Sequence, residues 1–321
     1  MPVIRHAFVL GAGLGTRLRP LTDTLPKPMV PLWNKPLLTY AFDHLIADAG
    51  TESFLVNTHH CAGAYATAFP EGCYRGRPVA FRHEPVLLDT AGGIDNVRDW
   101  LPADDSFLVY NGDILTDLPL APAIGAHERS GALVTMVLRS GGDLPNVAWD
   151  SATGEVRDMR DALGSAPKLP RYQFTGLYLV RSGFLRFLVP GRIESVVMAF
   201  LRAIQAGERI SGVLIDEGHW SDLGNRSGYL AASAMLAEDA AFPRYGRAAD
   251  CIRVSPGVEI APSAWVDALS SVGGGCRIGD GATVEACILW PGSRVEPGAR
   301  LTRCIVRTAQ TAGGAAVDRD F

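Results

Sequence analysis

Short runs of consecutive apolar residues alternate with segments of helical period along the first two thirds of the chain. Ala7–Leu10, Ser53–Val56, Val79–His83, Ser106–Tyr110 and Ala132–Leu138 read as strands, with Ala7–Leu10 and Ser106–Tyr110 buried. Leu37–Ala49, Val196–Ala206 and Ser227–Glu238 carry apolar residues at helical spacing. The first two stop at Gly50 and Gly207, as helices commonly do. A further helix is expected after Gly92-Gly93, running through Trp100. Asn146–Asp150 and Gly154–Arg157 read as a hairpin. This alternation predicts an α/β domain with a mixed, mainly parallel sheet.

After Ala240 the pattern changes. Val254, Ile260, Val266, Val272, Ile278 and Val284 recur every sixth residue. The phase slips by one, and Leu289, Val295 and Leu301 resume the step, with an altered corner expected near Trp290-Pro291. One inward aliphatic per six residues, separated by Ser-Pro-Gly or Gly-Asp-Gly turns, predicts a parallel β-helix whose core grows by stacking. The expected division is a catalytic domain over residues 1–235, a linker over 236–250, the β-helix over 251–310 and a frayed Ala/Gly-rich tail over 311–321.

Net charge is −4 over 321 residues, so no bulk attraction to nucleic acid or anionic membrane is expected. Six cysteines show no Cys-x-x-Cys pair and read as reduced thiols. No signal peptide and no run of membrane-spanning length is visible, so a cytoplasmic protein is expected.

Candidate chemistry starts where the first strand ends. Leu10-Gly11-Ala12-Gly13-Leu14-Gly15-Thr16-Arg17-Leu18-Arg19 places three glycines at alternate positions before two arginines, and Lys27 follows between Pro26 and Pro28. Glycines let backbone N–H groups approach a phosphate, and the cations match a polyanion. The dinucleotide fingerprint fails, because Thr16 stands at the third glycine and the second strand ends in Asn57 instead of an acid. No Gly-Lys-Ser/Thr tripeptide exists for a Walker loop. Asn111-Gly112-Asp113 closes a buried strand, where ligands of open α/β sheets bind. Asp113 can hold a divalent cation or simply cap a turn. His59-His60 reads as turn or pocket wall, because partners at metal spacing are missing.

Gly11-Ala-Gly-Leu-Gly-Thr-Arg-Leu-Arg-Pro-Leu-Thr, with Leu25-Pro-Lys-Pro-Met-Val-Pro, resembles the signature of the sugar-1-phosphate nucleotidylyltransferases, the NDP-sugar pyrophosphorylases. The resemblance covers about residues 4–232 and extends to the second domain, since left-handed β-helices commonly follow this catalytic domain in the guanylyltransferases of the family. It implies a Rossmann-like nucleotidyltransferase domain that joins a nucleoside triphosphate to a sugar 1-phosphate and releases pyrophosphate. It also implies a Mg2+ ion held by Asp113 and by Asp222 of Trp220-Ser-Asp-Leu-Gly; read alone, Asp222 could be a helix cap. Arg17, Lys27 and Asp113 are the implied catalytic residues. The nucleotide is implied to lie on Leu10, Gly11, Ala12, Gly13, Gly15, Thr16, Arg17, Lys27, Thr90, Gly92 and Asp113. Asn111, Asn146, Thr175 and Gly176 are the implied sugar contacts. The family's Glu-Lys-Pro motif is missing, with Arg160 and Lys168 the nearby cations.

Leu88-Asp-Thr-Ala-Gly-Gly and the β-helix resemble mannose-1-phosphate guanylyltransferases. Uridylyltransferases acting on N-acetylmuramate or glucose 1-phosphate, heptose-type guanylyltransferases, and a non-catalytic sugar-nucleotide sensor are the alternatives. An acyltransferase is disfavoured: such chemistry needs a base near the coils, and the last histidine is His219. The repeat helix suggests a homo-oligomer.

Overall fold

The computed structural model describes residues 3–101 and 105–321, in two compact units that are each discontinuous in sequence. One comprises residues 1–13, 41–112 and 116–220, and the other residues 14–40, 113–115 and 221–321.

The first unit is built on one large sheet. Its strands are β1 (His6–Leu10), β2 (Ser53–Thr58), β3 (Arg77–His83), β4 (Ser106–Asn111), β5 (Val134–Arg139), β6 (Pro145–Asp150), β7 (Glu155–Met159), β8 (Arg171–Arg181) and β9 (Ile210–Leu214). Their order is β6-β7-β9-β5-β8-β4-β1-β2-β3, closed at the β3 edge by the short Cys73–Tyr74 strand. β4, β1, β2 and β3 run parallel, and β8 is antiparallel to β4 and β5. The sheet is therefore mixed, as the sequence predicts, and β6–β7 is the expected hairpin. Between these strands in sequence lie the helices α1 (Leu37–Ala49), α2 (Gly63–Ala68), α3 (Asp89–Asp95), α4 (Ala121–Ser130) and α5 (Val196–Gln205). Phe8, Val109, Met136, Tyr178 and Val180 project from the strands into one continuous core with α5. Among the described residues no helix is long and apolar enough to cross a membrane.

One helix differs from expectation. Gly92 and Gly93 lie inside α3 (Asp89–Asp95), not ahead of it, and the helix ends well before Trp100. Packing explains both glycines. A Cβ on Gly92 would lie 2.6 Å from the Arg192 carbonyl oxygen, and one on Gly93 2.9 Å from Asn57 Nδ2.

The second unit holds the coil. Three parallel sheets stack Glu259–Ile260 to Thr311–Ala312, Trp265–Val266 to Ala315–Val317, and Ser271–Val272 to Ile305–Val306, as a left-handed β-helix requires. Val272, Ile278, Val284, Leu289, Val295, Leu301 and Val306 fill its axis. The phase slip is not at Trp290-Pro291. It falls at Ala286 (φ 48°) and recurs one coil on at Arg303 (φ 51°), where a left-handed residue turns the corner in five residues instead of six. Trp290 instead packs outside the coil, its indole N–H donating to the Tyr229 hydroxyl at 3.0 Å. The tail is also not frayed. Ala312 and Ala316 take the inward positions, and Phe321 exchanges backbone hydrogen bonds with Ile305 and Arg307. Alanine suffices there because the stack below already supplies the apolar floor.

Ile288, Trp290 and Ile305 on one outer face of the coil share a core with Leu18, Leu21, Val30, Leu32 and α6 (Arg226–Glu238). The segment after the glycine loop thus belongs to the same compact unit as the β-helix.

Candidate active site

In the second unit three predicted residues meet. Lys27 opens a 3-10 turn, Lys27–Met29, entered through Pro26 with Pro28 inside it. Proline fixes φ on both sides, so the lysine stem leaves a rigid corner. Its side chain is only 8% exposed, and Nζ donates to Asp113 Oδ2 at 2.7 Å and to Asp222 Oδ1 at 3.2 Å. Arg17, in the 3-10 turn Thr16–Leu18, lies 3.7 Å from Asp222 Oδ2. The Leu223 N–H donates to the Asp113 carbonyl at 3.2 Å and ties the two acidic segments together.

Asp222 does not cap the helix that follows. Asn225 does, its Oδ1 accepting from the Gly228 N–H at 2.9 Å. Gly224 keeps the acidic corner open, since a Cβ there would lie 2.6 Å from an Arg17 guanidinium nitrogen and 2.9 Å from Asp222 Oδ2. Gly15, at φ 59°, is the left-handed residue before Thr16, and its carbonyl accepts from the Thr22 hydroxyl at 2.8 Å.

In the first unit, Asn57 at the end of β2 is the node that sequence reasoning missed. Its Oδ1 accepts from the Gly11 N–H at 2.8 Å and the Ala12 N–H at 3.3 Å. Its Nδ2 donates to Glu84 Oε1 at 2.7 Å. Gly11 is a glycine because a Cβ would stand 2.7 Å from the Asn57 carbonyl oxygen. Two of the N–H groups expected to cradle phosphate are therefore already satisfied. Among the described residues none accepts from the N–H groups of Gly13, Leu14, Gly15 or Thr16. A Cβ on Gly13 would meet nothing within 4 Å.

Leu10, Ala12, Asn57, Glu84, Asp89 and Thr90 help line a cavity of about 310 Å³ at the carboxyl ends of these strands. The Thr90 hydroxyl accepts from the Val196 N–H at 2.7 Å, fastening α3 to α5. The Ala91 N–H donates to the Glu194 carbonyl at 2.8 Å. The Arg202 guanidinium, hydrogen-bonded to Glu194, holds its carboxyl below the usual carboxylate range.

The expected sugar contacts are placed differently. The Thr175 hydroxyl is buried and donates to the Val137 carbonyl at 2.8 Å, so it does not offer a free donor. Thr175-Gly176 lies where the β8–β5 register shifts, at a bulge. Gly176 (φ 82°) makes room for a side chain of the protein, since a Cβ would lie 2.5 Å from Asn111 Nδ2. Asn146 lies on β6, and its buried Oδ1 finds no partner among the described residues. Arg160, at φ 57°, is in the turn after β7. His59 Nδ1 bonds the Glu84 carbonyl at 2.7 Å, and among the described residues no cluster of three metal-binding side chains occurs.

Residues 6–239 match the model of the nucleotidyl transferase family. The chain belongs to that family. Among curated relatives, this nucleotidyl transferase is 32% identical over 301 residues to a mannose-1-phosphate guanylyltransferase of Mycobacterium tuberculosis, covering 92% of this chain and 83% of the other. It is 26% identical to a UTP–glucose-1-phosphate uridylyltransferase of Synechocystis, over 97% of this chain and 90% of that one. A solved structure of a putative glucose-1-phosphate thymidylyltransferase from Bacillus anthracis superimposes with a TM-score of 0.64 at 18% identity, covering 77% of this nucleotidyl transferase and 98% of that chain. The last comparison shows the fold.

Proposed function

We propose that this protein is a Mg2+-dependent guanylyltransferase that makes GDP-mannose and pyrophosphate from GTP and mannose 1-phosphate. The observation that carries the reading is the convergence of Asp113 and Asp222 on one buried ammonium, in a chain whose relatives include mannose-1-phosphate guanylyltransferases.

The sugar phosphate is an anionic nucleophile. Its oxygen bonds to the α-phosphorus as the bond to the β-phosphate oxygen breaks, so no side chain needs to take a proton. The chain's task is positioning and charge neutralisation. Gly13–Thr16 offers unpaired N–H groups to phosphate oxygens, and Arg17 and Lys27 offset charge on the departing pyrophosphate. Two carboxylates suit a phosphate-bound Mg2+. Asp113 and Asp222 would hold it, and when bound it supplies Lewis-acid charge stabilisation.

Pyrophosphate release across a matrix of nucleoside triphosphates and sugar 1-phosphates, with and without EDTA, tests the reading. The expected result is turnover with GTP and mannose 1-phosphate that EDTA abolishes. Turnover with UTP and glucose 1-phosphate alone would favour the uridylyltransferase reading, which the Synechocystis relative supports. No pyrophosphate from any pair would leave a sugar-nucleotide sensor. We also propose a cytoplasmic homo-oligomer. Six cysteines that form no disulfide, and the exposed Ile260, Trp265 and Val317 on the coil, support that placement.

A further inference from the structure

Glu84 follows β3 directly and is fully buried. His59 bonds its backbone carbonyl, but among the described residues no lysine, arginine or histidine pairs with its side-chain carboxylate, so the burial of that group rests on hydrogen bonds alone. Both oxygens accept: Oε1 from Asn57 Nδ2 at 2.7 Å and Oε2 from the Leu88 N–H at 3.0 Å. Asn57 in turn accepts from the Gly11 and Ala12 N–H groups. An asparagine side chain can turn over and exchange its donor and acceptor ends. Here only one orientation works. The other would set Nδ2 against two backbone N–H groups and Oδ1 against a carboxylate.

We propose that Glu84 is a positioning residue for the glycine loop, acting through Asn57. It accepts from the amide, the amide accepts from Gly11 and Ala12, and the loop's available N–H groups are thereby set to begin at Gly13. The same carboxylate anchors the Leu88 end of the segment that enters α3, so one buried group sets two walls of the 310 Å³ cavity. The role in turnover rests on the phosphate-binding reading of the loop; the hydrogen-bond relay itself does not.

Three variants test it. In Glu84→Gln the single amide oxygen can serve Asn57 or Leu88, not both. In Asn57→Asp the new carboxylate faces Glu84, and their repulsion pushes it away from the Gly11 and Ala12 N–H groups. The double variant Glu84→Gln/Asn57→Asp exchanges acid and amide, keeps the pair's charge and restores every donor–acceptor match.

Each is assayed with GTP, mannose 1-phosphate and MgCl2 well below its melting temperature, by pyrophosphate release. Amide hydrogen exchange of the peptide spanning residues 10–18 is followed without substrates. Displacing a binding loop by about an ångström costs on the order of a hundred-fold. Each single variant should lose about ten-fold or more in kcat/KM for GTP, leave KM for the sugar phosphate unmoved, and exchange the Gly11 and Ala12 amides faster. The double variant should recover both readouts to within about three-fold. Single variants with wild-type kcat/KM and exchange, or a double variant as impaired as the worse single one, overturn the proposal. If the wild type turns over no substrate pair, the functional reading fails, and the exchange measurement alone decides the relay.

Discussion

Replacing Lys27 by methionine keeps the stem and removes the charge that two carboxylates share. At about 3 Å and an effective dielectric near 20, each contact has a gross attraction of about 5 kcal/mol before desolvation. Most of that is offset. Asp113 and Asp222 are 35% and 40% exposed in their side chains, so water replaces the ammonium once it is gone. The net stability cost should be on the order of 1–2 kcal/mol, a melting shift of a few degrees. The catalytic cost should be far larger, about a hundred- to a thousand-fold in kcat, because a fixed charge aimed at a developing anion is lost. The two acids would also be left facing each other with only Arg17, 3.7 Å from Asp222 Oδ2, as a nearby cation. Millimolar MgCl2 should therefore raise the variant's melting temperature more than the wild type's, with no nucleotide present. Scanning fluorimetry with and without MgCl2, beside pyrophosphate release, measures all three effects. A Lys27→Met protein that keeps more than about a third of its kcat/KM would refute the charge argument. Identical Mg2+ responses in both proteins would show that the lysine and the metal do not compete for these carboxylates.

Three further outcomes follow from particular contacts. Burial holds the His127 imidazole neutral, between the Ser106 and Thr135 hydroxyls at 3.0 and 2.9 Å, with its pKa lowered to about 4. The unfolded chain binds this proton from about pH 6.5 downward, so stability is fully present above that value and falls until pH 4. The His127 share is about 3 kcal/mol, read as the difference in pH slope of urea midpoints between wild type and His127→Gln. Gly176→Ala forces a side chain into a left-handed position against Asn111, and should cost about 1–3 kcal/mol by chemical denaturation. Leu301→Ala at the coil axis should cost about 2–5 kcal/mol. An unchanged midpoint would mean that its neighbours in the stack close the gap.

What the sequence determined by itself was most of what period governs, although β9 and the helix Ala121–Ser130 were not read from it. Buried strands declare themselves as apolar runs, and the coil as an aliphatic every sixth residue, because each residue's environment repeats with its position along the chain. The pairing of Asp113 with Asp222 was also legible, through motif resemblance, more than a hundred residues apart. The tertiary structure decided where polar groups look for partners. Asn57 showed in sequence only as a missing acid at the end of a strand. Its bonds to Gly11 and Glu84 exist because β1, β2 and β3 lie side by side. Thr175 and Gly176 matched a sugar-lining pattern, yet the bulge turns the hydroxyl onto Val137 and gives the glycine's space to Asn111. In sequence the coil's corner reads a few residues late and its last rung reads as frayed, because a left-handed alanine and two small inward residues carry no hydrophobic signal. Hydrogen bonds are short and directional, so a chain pattern can place a polar residue at the end of a strand but cannot say which neighbour it will meet. That is settled only when the strands pack.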